Sequence, residues 1–118
     1  MLSRDFWKGR RVLITGHTGF KGSWLLTWLH QLGASLFGFS LPPNSEQQLY
    51  HSFSECFPAG SSWYQHFANI SDYEALTDFV GFAQPDVVFH LAAQPLVRAS
   101  YSDCLGTWST NVQGSLNL

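Results

Sequence analysis

The sequence is poor in charge, and its few basic residues are unevenly spread. Only 12 % of the 118 residues are charged, which is about half of the usual share of roughly 25 %. The net charge is -2, and no Lys or Arg occurs between Gly22 and Val97. Such a chain offers no basic patch for nucleic acid or for an anionic membrane. A surface with so few charges also indicates that part of it is covered, by more chain or by a partner.

Cysteine and long apolar runs are scarce as well. Cys56 and Cys104 have no metal-ligand spacing, so the sequence predicts free thiols in a reducing compartment and no metal site. No apolar run approaches the ~20 residues that span a bilayer. The apolar run at 12–15 is also too short for the core of a signal peptide. The expectation is a soluble, cytoplasmic protein.

Short apolar strands alternate with helical patterns along the chain. Strands are predicted at 11–15, 34–41, 63–67 and 86–91, and helices at 19–32, from 72 to about 82, and from about 103 to the end. A loop and a short helix are expected within 44–62. This alternation predicts an α/β fold, a Rossmann-type doubly wound parallel sheet that is truncated after about four strands. The last helical pattern has no cap before Leu118, so the chain is expected to be the N-terminal part, 1–118, of a larger dinucleotide-binding domain.

The first predicted helix carries an aromatic stripe. Phe20, Trp24, Trp28 and Leu32 are spaced four apart, and Gly33 supplies a stop signal. Such a stripe is more typical of a helix face that packs in the core or against another helix than of a platform for a nucleotide.

A glycine triplet joins the first strand to the first helix. Its G-x-x-G-x-x-G spacing lets the backbone turn sharply off the strand and approach a pyrophosphate without a Cβ in the way. The N–H groups at the helix N-terminus would then face that anion. An ordinary tight turn is the alternative, but the flanking strand and helix favour a dinucleotide site. The residues of this loop are Gly16, His17, Thr18, Gly19, Phe20, Lys21 and Gly22.

Three segments resemble the extended short-chain dehydrogenase/reductases. They are TGHTGFKGSWL from residue 15, VFHLAAQPLVR from residue 88 and STNVQGS from residue 109. The resemblance covers almost the whole chain. Within the family, the first two segments are most similar to the dehydratases that act on CDP-glucose. The implied activity is that of a lyase, a sugar-nucleotide 4,6-dehydratase that uses NAD to convert CDP-glucose to CDP-4-keto-6-deoxyglucose.

The resemblance also assigns site residues after the fourth strand. It places the cofactor's ribose and nicotinamide along Leu91, Ala92, Ala93 and Gln94, where small side chains at the carboxyl end of a parallel strand leave room for a ligand. Asn111 matches the helix asparagine that supports the active-site water network in this family.

Two positions depart from the family pattern. Ser40 stands at the end of the second strand, where an acidic residue would bind the ribose of NAD. No arginine is present there to meet the extra phosphate of NADP, so NAD is favoured. Asn69 and Ile70 replace an Asp-Ile pair, and the Asn69 amide oxygen is expected to accept a hydrogen bond from the adenine amine. His17 and Lys21 in the glycine loop are candidates for meeting the extra phosphate of NADP, and equally for serving the pyrophosphate or the substrate.

The family's catalytic Tyr-x-x-x-Lys pair does not occur in the sequence. In that pair the Tyr acts as the base and the Lys lowers its pKa. None of Tyr50, Tyr64, Tyr73 and Tyr101 has a Lys four positions later. The catalytic pair and the substrate domain are therefore expected beyond Leu118, and the chain by itself is expected to be inactive.

Two other functions stay open, and the family implies an assembly. A sugar-nucleotide epimerase that uses NAD shares the fold and the loop, and a non-catalytic NAD-binding protein would also lack the catalytic pair.

In the family, the helix that carries Asn111 commonly packs against its mate across a two-fold axis. The resemblance therefore implies a homodimer, with a nucleotide sugar as the substrate.

Overall fold

Four short strands form a parallel sheet in the computed structural model, which describes residues 3–56 and 63–118. The strands are β1 (Arg11–Thr15), β2 (Ser35–Ser40), β3 (Trp63–Phe67) and β4 (Val87–His90). Their order in space is β3-β2-β1-β4. In the pairing register, Thr15 at the end of β1 lies beside Phe39 of β2 and His90 of β4. The carboxyl ends of these strands therefore meet at the point where the strand order reverses, which is where open α/β sheets bind ligands.

Helices cover both faces of the sheet. Ile14 of β1 belongs to one buried cluster with Leu26, whereas its neighbour Leu13 belongs to another with Phe79. Successive strand residues face opposite sides, so the first predicted helix and the helix after β3 lie on different faces. This confirms the doubly wound Rossmann-type sheet. The helices are α1 (Arg4–Trp7), α2 (Phe20–Gln31), α3 (Gln48–Cys56), α4 (Tyr73–Ala83), α5 (Val97–Ser102), α6 (Cys104–Trp108) and α7 (Gly114–Asn117), with a π-helical turn at Ser109–Gln113.

The helices differ from the predicted pattern in two places, at α1 and at α5. The pattern gives no sign of α1. The short helix expected within 44–62 is α3, and residues 57–62 lie outside the described part of the chain. The last helical segment begins at Cys104, as predicted, but an unpredicted helix, α5, precedes it, and the chain bends between the two at Asp103, whose side chain accepts a hydrogen bond from the N–H of Gly106 at 2.9 Å.

The aromatic stripe on α2 faces solvent, so the prediction that it packs in the core is wrong. Trp24 and Trp28 are 56 % and 65 % exposed, while Leu26 and Leu29 are buried. Gly22 lies in the first turn of the helix, so close to the backbone of Gly16 and His17 that a Cβ there would collide with it, and the helix face that carries Gly22 is therefore the buried one. Aliphatic and small side chains therefore occupy that face.

Three composition-based expectations concern the thiols, membrane-spanning segments and metal sites. Cys104 is a free, exposed thiol, whereas the Cys56 side chain lies outside the described part of the structure. Within residues 3–56 and 63–118, no helix has the length and hydropathy needed to cross a membrane. In the same ranges, no three His, Cys, Asp or Glu side chains are grouped to hold a metal ion.

Candidate dinucleotide-binding site

A pocket opens at the carboxyl edge of the sheet, beside the glycine loop. Nine of the residues that line it are ones that the sequence predicts: Gly16, Thr18, Gly19, Ser40, Asn69, Ile70, Leu91, Ala92 and Ala93. Five more come from the same strand ends and from the segments that follow them: Phe39, Leu41, Gln47, Ala68 and Thr110. Glycine, alanine and a few uncharged polar groups dominate the lining, and no Lys, Arg, Asp or Glu side chain is among these residues.

The three glycines of the loop have different structural roles. Gly16 has a φ of +75°, and a Cβ there would lie 2.8 Å from the backbone of Leu91 and Ala92. A Cβ on Gly22 would meet the carbonyl oxygen of Gly16. The fold therefore requires these two glycines. Gly19 differs, because its Cβ would touch only the Gly16 carbonyl oxygen, at 3.4 Å. The space that Gly19 leaves open belongs to the pocket.

The N-terminus of α2 offers unused backbone donors beside this space. Gly19 is the N-cap and gives no side-chain cap. In the first turn of α2, the N–H of Ser23 is the first to donate to a backbone acceptor, the Gly19 carbonyl oxygen at 2.9 Å. The N–H groups of Phe20, Lys21 and Gly22 precede the first intrahelical bond, so they are available to an anion at the positive end of the helix.

His17 turns away from the pocket, so the prediction that its imidazole meets a phosphate is wrong. The ring is fully buried and lies near the rings of Trp63 and Phe67. Its Nε2 is 3.0 Å from Oε1 of Gln65, which also accepts a hydrogen bond from the Tyr50 hydroxyl at 2.6 Å. Burial lowers the pKa of His17 to about 4. A neutral ring beneath the loop supports the backbone and carries no charge to the pocket.

The end of β2 presents hydroxyl and amide groups in place of a carboxylate. Ser40 and Thr18 share a hydrogen bond of 2.6 Å between their side-chain oxygens. The Nε2 of Gln47 donates to Thr18 Oγ1 at 3.5 Å, and Ser40 Oγ donates to the Leu41 carbonyl at 3.0 Å. These neutral groups are mutually positioned at the pocket wall, where the family pattern has an acid.

Asn69 and Ile70 reach the pocket, but the Asn69 amide is already used. Its Oδ1 accepts hydrogen bonds from the N–H of Ser71 at 3.0 Å and from the Ser71 hydroxyl at 2.9 Å. The acceptor expected to meet the adenine amine therefore holds the turn before α4. Ile70 is buried and packs beneath Gly114, where a Cβ would lie 3.2 Å from Ile70 Cγ1.

Gln94 and Asn111 lie behind the pocket and hold each other. The Gln94 N–H donates to Asn111 Oδ1 at 2.7 Å, and Asn111 Nδ2 donates to the Gln94 carbonyl at 3.1 Å. Asn111 belongs to the π-helical turn, a distortion that often marks functional sites. Its side chain fixes the segment after β4, so it shapes the wall formed by Ala92 and Ala93.

Comparison with known proteins assigns the chain to a family. The sequence pattern of the NAD dependent epimerase/dehydratase family matches residues 12–118. The chain belongs to this family. The CDP-glucose 4,6-dehydratase of Salmonella typhimurium (strain LT2) is 42 % identical over 118 residues, which are 100 % of this chain and 32 % of that protein. The UDP-glucose 4-epimerase of Mycoplasma genitalium is 32 % identical over 108 residues, or 92 % of this chain and 30 % of that protein.

Solved structures of epimerases share the fold of this family member. An epimerase from Methanothermobacter thermautotrophicus superposes with a TM-score of 0.79 at 26 % identity, over 97 % of this chain and 31 % of that one. The UDP-glucose 4-epimerase of Thermus thermophilus, in complex with NAD, gives a TM-score of 0.74 at 27 % identity, over 92 % and 32 %. The chain therefore spans about a third of the length of the relatives that it matches.

Several residues of the pocket and its surroundings are not evident from motifs. Gln47 precedes α3, in a segment without a clear periodic pattern, and Thr110 lies one position before Asn111. Thr15 is a fully buried polar residue at the end of β1, and its hydroxyl accepts hydrogen bonds from the backbone of β4's extension. The available signal for Thr15 is its position, because a polar residue that ends an apolar strand directly before a glycine loop needs a buried partner.

Proposed function

We propose that this chain is the NAD-binding part of a sugar-nucleotide 4,6-dehydratase that acts on CDP-glucose. The observation that carries the proposal is the pocket at Gly19, where the absence of a side chain leaves space beside the uncapped N-terminus of α2. The similarity to the Salmonella dehydratase over the whole chain supports the choice of reaction and substrate. When bound, the dinucleotide would accept one hydride from the sugar and return it, so that it is regenerated in each turnover.

The residues of the pocket fit the parts of a dinucleotide. The N–H groups of Phe20, Lys21 and Gly22 suit the pyrophosphate, because they are donors without intrahelical acceptors. The neutral hydroxyls near Ser40 suit the adenosine ribose. In this proposal Ile70 supplies an apolar contact for the adenine, while the alanines after β4 leave room for the nicotinamide half. Asn111 acts as a support for that wall.

NAD is the preferred cofactor in this proposal. The extra phosphate of NADP carries up to about two negative charges at neutral pH, and the pocket wall near Ser40 presents no basic side chain among its lining residues. Titration with each dinucleotide tests the preference. Tighter binding of NADP than of NAD would show that Lys21, which is exposed at the mouth of the loop, reaches the additional phosphate.

A sugar-nucleotide epimerase is the second candidate. The observation in its favour is the 32 % identity to the Mycoplasma genitalium epimerase. Product analysis at the natural length of the protein separates the two: a dehydratase releases a 4-keto-6-deoxy sugar, whereas an epimerase releases the C4 epimer. The 118 residues alone lack the Tyr-x-x-x-Lys pair and are expected to show no turnover. A cytoplasmic, homodimeric enzyme completes the proposal.

The decisive test of the binding site is Gly19→Val. The valine side chain would fill the pyrophosphate space, yet Gly19 has an ordinary φ of -73° and room for a Cβ. We therefore expect a folded protein whose NAD affinity falls by more than about tenfold, or ~1.4 kcal/mol. Gly81→Val is the matched control, because a Cβ there meets no atom within 4 Å. Calorimetric titration measures the NAD affinity of both variants. Equal affinities would contradict the assignment of the glycine loop to the binding site.

A further inference from the structure

The end of β1 is joined to the segment after β4 by one hydroxyl group. Thr15 is fully buried. Its Oγ1 accepts hydrogen bonds from the backbone N–H of Leu91 at 3.1 Å and of Ala92 at 3.2 Å. The same oxygen lies 2.6 Å from Nδ1 of His90. Leu91 and Ala92 line the pocket, so this hydroxyl group lies directly behind its wall.

These contacts determine where the hydroxyl proton points. A hydroxyl oxygen has two acceptor lone pairs and one proton to donate. The N–H of Ala92 and the N–H of Leu91, which Oγ1 shares with the Thr15 carbonyl oxygen at 3.0 Å, approach the two lone pairs, so the proton of Thr15 is donated to Nδ1 of His90. Nδ1 is therefore the acceptor nitrogen, and the neutral ring carries its proton on Nε2. Burial lowers the pKa of His90, which agrees with a neutral ring.

The second ring nitrogen continues the chain of hydrogen bonds to the last helix. His90 Nε2 lies 2.9 Å from Oγ of Ser115, and the Ser115 hydroxyl donates to the Asn111 carbonyl at 2.7 Å. Ser115 has thus spent its proton, so its oxygen accepts from Nε2–H. The three hydrogen bonds therefore run in one direction: Thr15 donates to His90, His90 donates to Ser115, and Ser115 donates to the Asn111 carbonyl oxygen. The order of donors matches the tautomer that the Thr15 contacts require.

We propose that His90 is a positioning residue of the cofactor site, which as the Nε2–H tautomer couples Thr15 to Ser115. It holds the wall at Leu91 and Ala92 in register with the helical segment that carries Asn111. The proposal rests on the proposed function, because the wall position matters for a bound dinucleotide. A fully used polar network specifies one arrangement, whereas loss of His90 leaves the buried Thr15 hydroxyl without its acceptor.

The tautomer is the first test, and it is independent of the cofactor. Nitrogen-15 NMR of the histidine side chains, in the protein at its natural length and at neutral pH, is expected to show His90 protonated on Nε2 and not on Nδ1. A resonance protonated on Nδ1 would overturn the proposal, even in a protein that binds NAD well. A protein with the expected tautomer that does not bind NAD would instead contradict the proposed function.

Variants of the two ends of the network test the link to binding. Thr15→Val keeps the shape and removes the hydroxyl, and Ser115→Ala, at an exposed position, removes the far acceptor. We expect Thr15→Val to weaken NAD binding by about tenfold and Ser115→Ala by a smaller factor. Thr15→Ser keeps the hydroxyl, so its NAD affinity is expected to stay within about twofold of the wild-type value.

A double variant distinguishes positioning from general stability. If His90 links the two ends, Thr15→Val combined with His90→Phe weakens NAD binding no more than the stronger single change. Thr77→Val is the matched control: its exposed hydroxyl donates to the Tyr73 carbonyl within α4, so the NAD affinity should not change. Additive losses in the double variant, or wild-type affinity in Ser115→Ala and Thr15→Val, would overturn the proposal. Where His90→Phe does not fold, Ser115→Ala and the tautomer decide.

Discussion

At position 22, glycine is required by the packing of the loop rather than by its φ angle. A Cβ on Gly22 would lie 2.7 Å from Cα of His17 and would also meet the Gly16 carbonyl oxygen. These are backbone atoms, which cannot move without shifting β1 or α2. We therefore expect Gly22→Ala to lower the free energy of unfolding by about 1–3 kcal/mol.

Gly81→Ala is the matched control for this prediction. It is the same substitution within a helix, but the added Cβ meets nothing within 4 Å. The free energy of unfolding should rise by roughly 0.5–1 kcal/mol, because alanine is the better helix former. Urea denaturation measures both variants. A Gly22→Ala protein as stable as Gly81→Ala would show that the loop has more freedom than the structure indicates.

The buried imidazole of His17 makes stability depend on pH. Its pKa is lowered to about 4 in the folded chain, against about 6.5 when unfolded. As the pH falls, the unfolded chain binds the proton first, so the full stability is present above about pH 6.5 and is lost progressively down to about pH 4. This difference in pKa between the two states corresponds to roughly 3 kcal/mol.

The control for this pH dependence is His17→Gln. This variant cannot titrate, so its free energy of unfolding should fall less between pH 7 and pH 5 than that of the wild type. His90, whose pKa is also lowered by burial, contributes a loss of the same sign in both proteins. Chemical denaturation at the two pH values gives the comparison. Equal losses in wild type and variant would mean that His17 is not the group responsible.

At the scale of single elements, α4 begins with a side-chain cap from Asp72. Asp72 Oδ1 accepts a hydrogen bond from the N–H of Ala75 at 3.1 Å. Asp72→Ala is expected to cost about 1 kcal/mol in the free energy of unfolding. Asp78→Ala removes the same group from the exposed face of α4 and should stay within about 0.5 kcal/mol of the wild type. Indistinguishable midpoints of thermal unfolding in the two variants would contradict the assignment of the cap.

At the scale of the whole molecule, the C-terminal helices present apolar surface to solvent. Leu105, Trp108 and Leu116 are 85 %, 65 % and 75 % exposed. Burial of apolar side chains drives association, so we expect the 118-residue chain to self-associate or to be unstable, and the protein at its natural length to be a homodimer. Light scattering at high micromolar concentration measures the mass, and a stable monomer would contradict this.

Two tryptophan variants locate the surface that associates. Trp108→Glu places a charge among the exposed apolar side chains of the C-terminal helices and should shift the chain towards the monomer. Trp28→Glu introduces the same charge on α2, where Trp28 is similarly exposed, and should leave association unchanged. The opposite result would assign the interface to α2. It would then contradict the two-fold packing of the Asn111 helix that the family resemblance implies.

The sequence was sufficient for the elements whose signals are local. The strand at 11–15 is a short apolar run with a glycine directly after it, and its predicted bounds agree with β1. The glycine spacing likewise predicted the loop and the start of α2. The aromatic stripe of α2 shows the limit: periodicity reports which residues share a face, but it does not say which face the sheet will accept. The close approach at Gly22 decided that question.

The sequence by itself determined the parallel Rossmann-type sheet, the glycine loop and the likeness to the epimerases and dehydratases, because each is written in adjacent residues or in a short repeat of spacing. Only the tertiary structure decided that the ring of His17 is buried beneath the loop, near the rings of Trp63 and Phe67. It also joined Thr15 to His90, which lies 75 residues further along the chain, and His90 to Ser115, which lies another 25 residues on. Such contacts depend on strand order and register, which bring distant residues together and which no local pattern encodes.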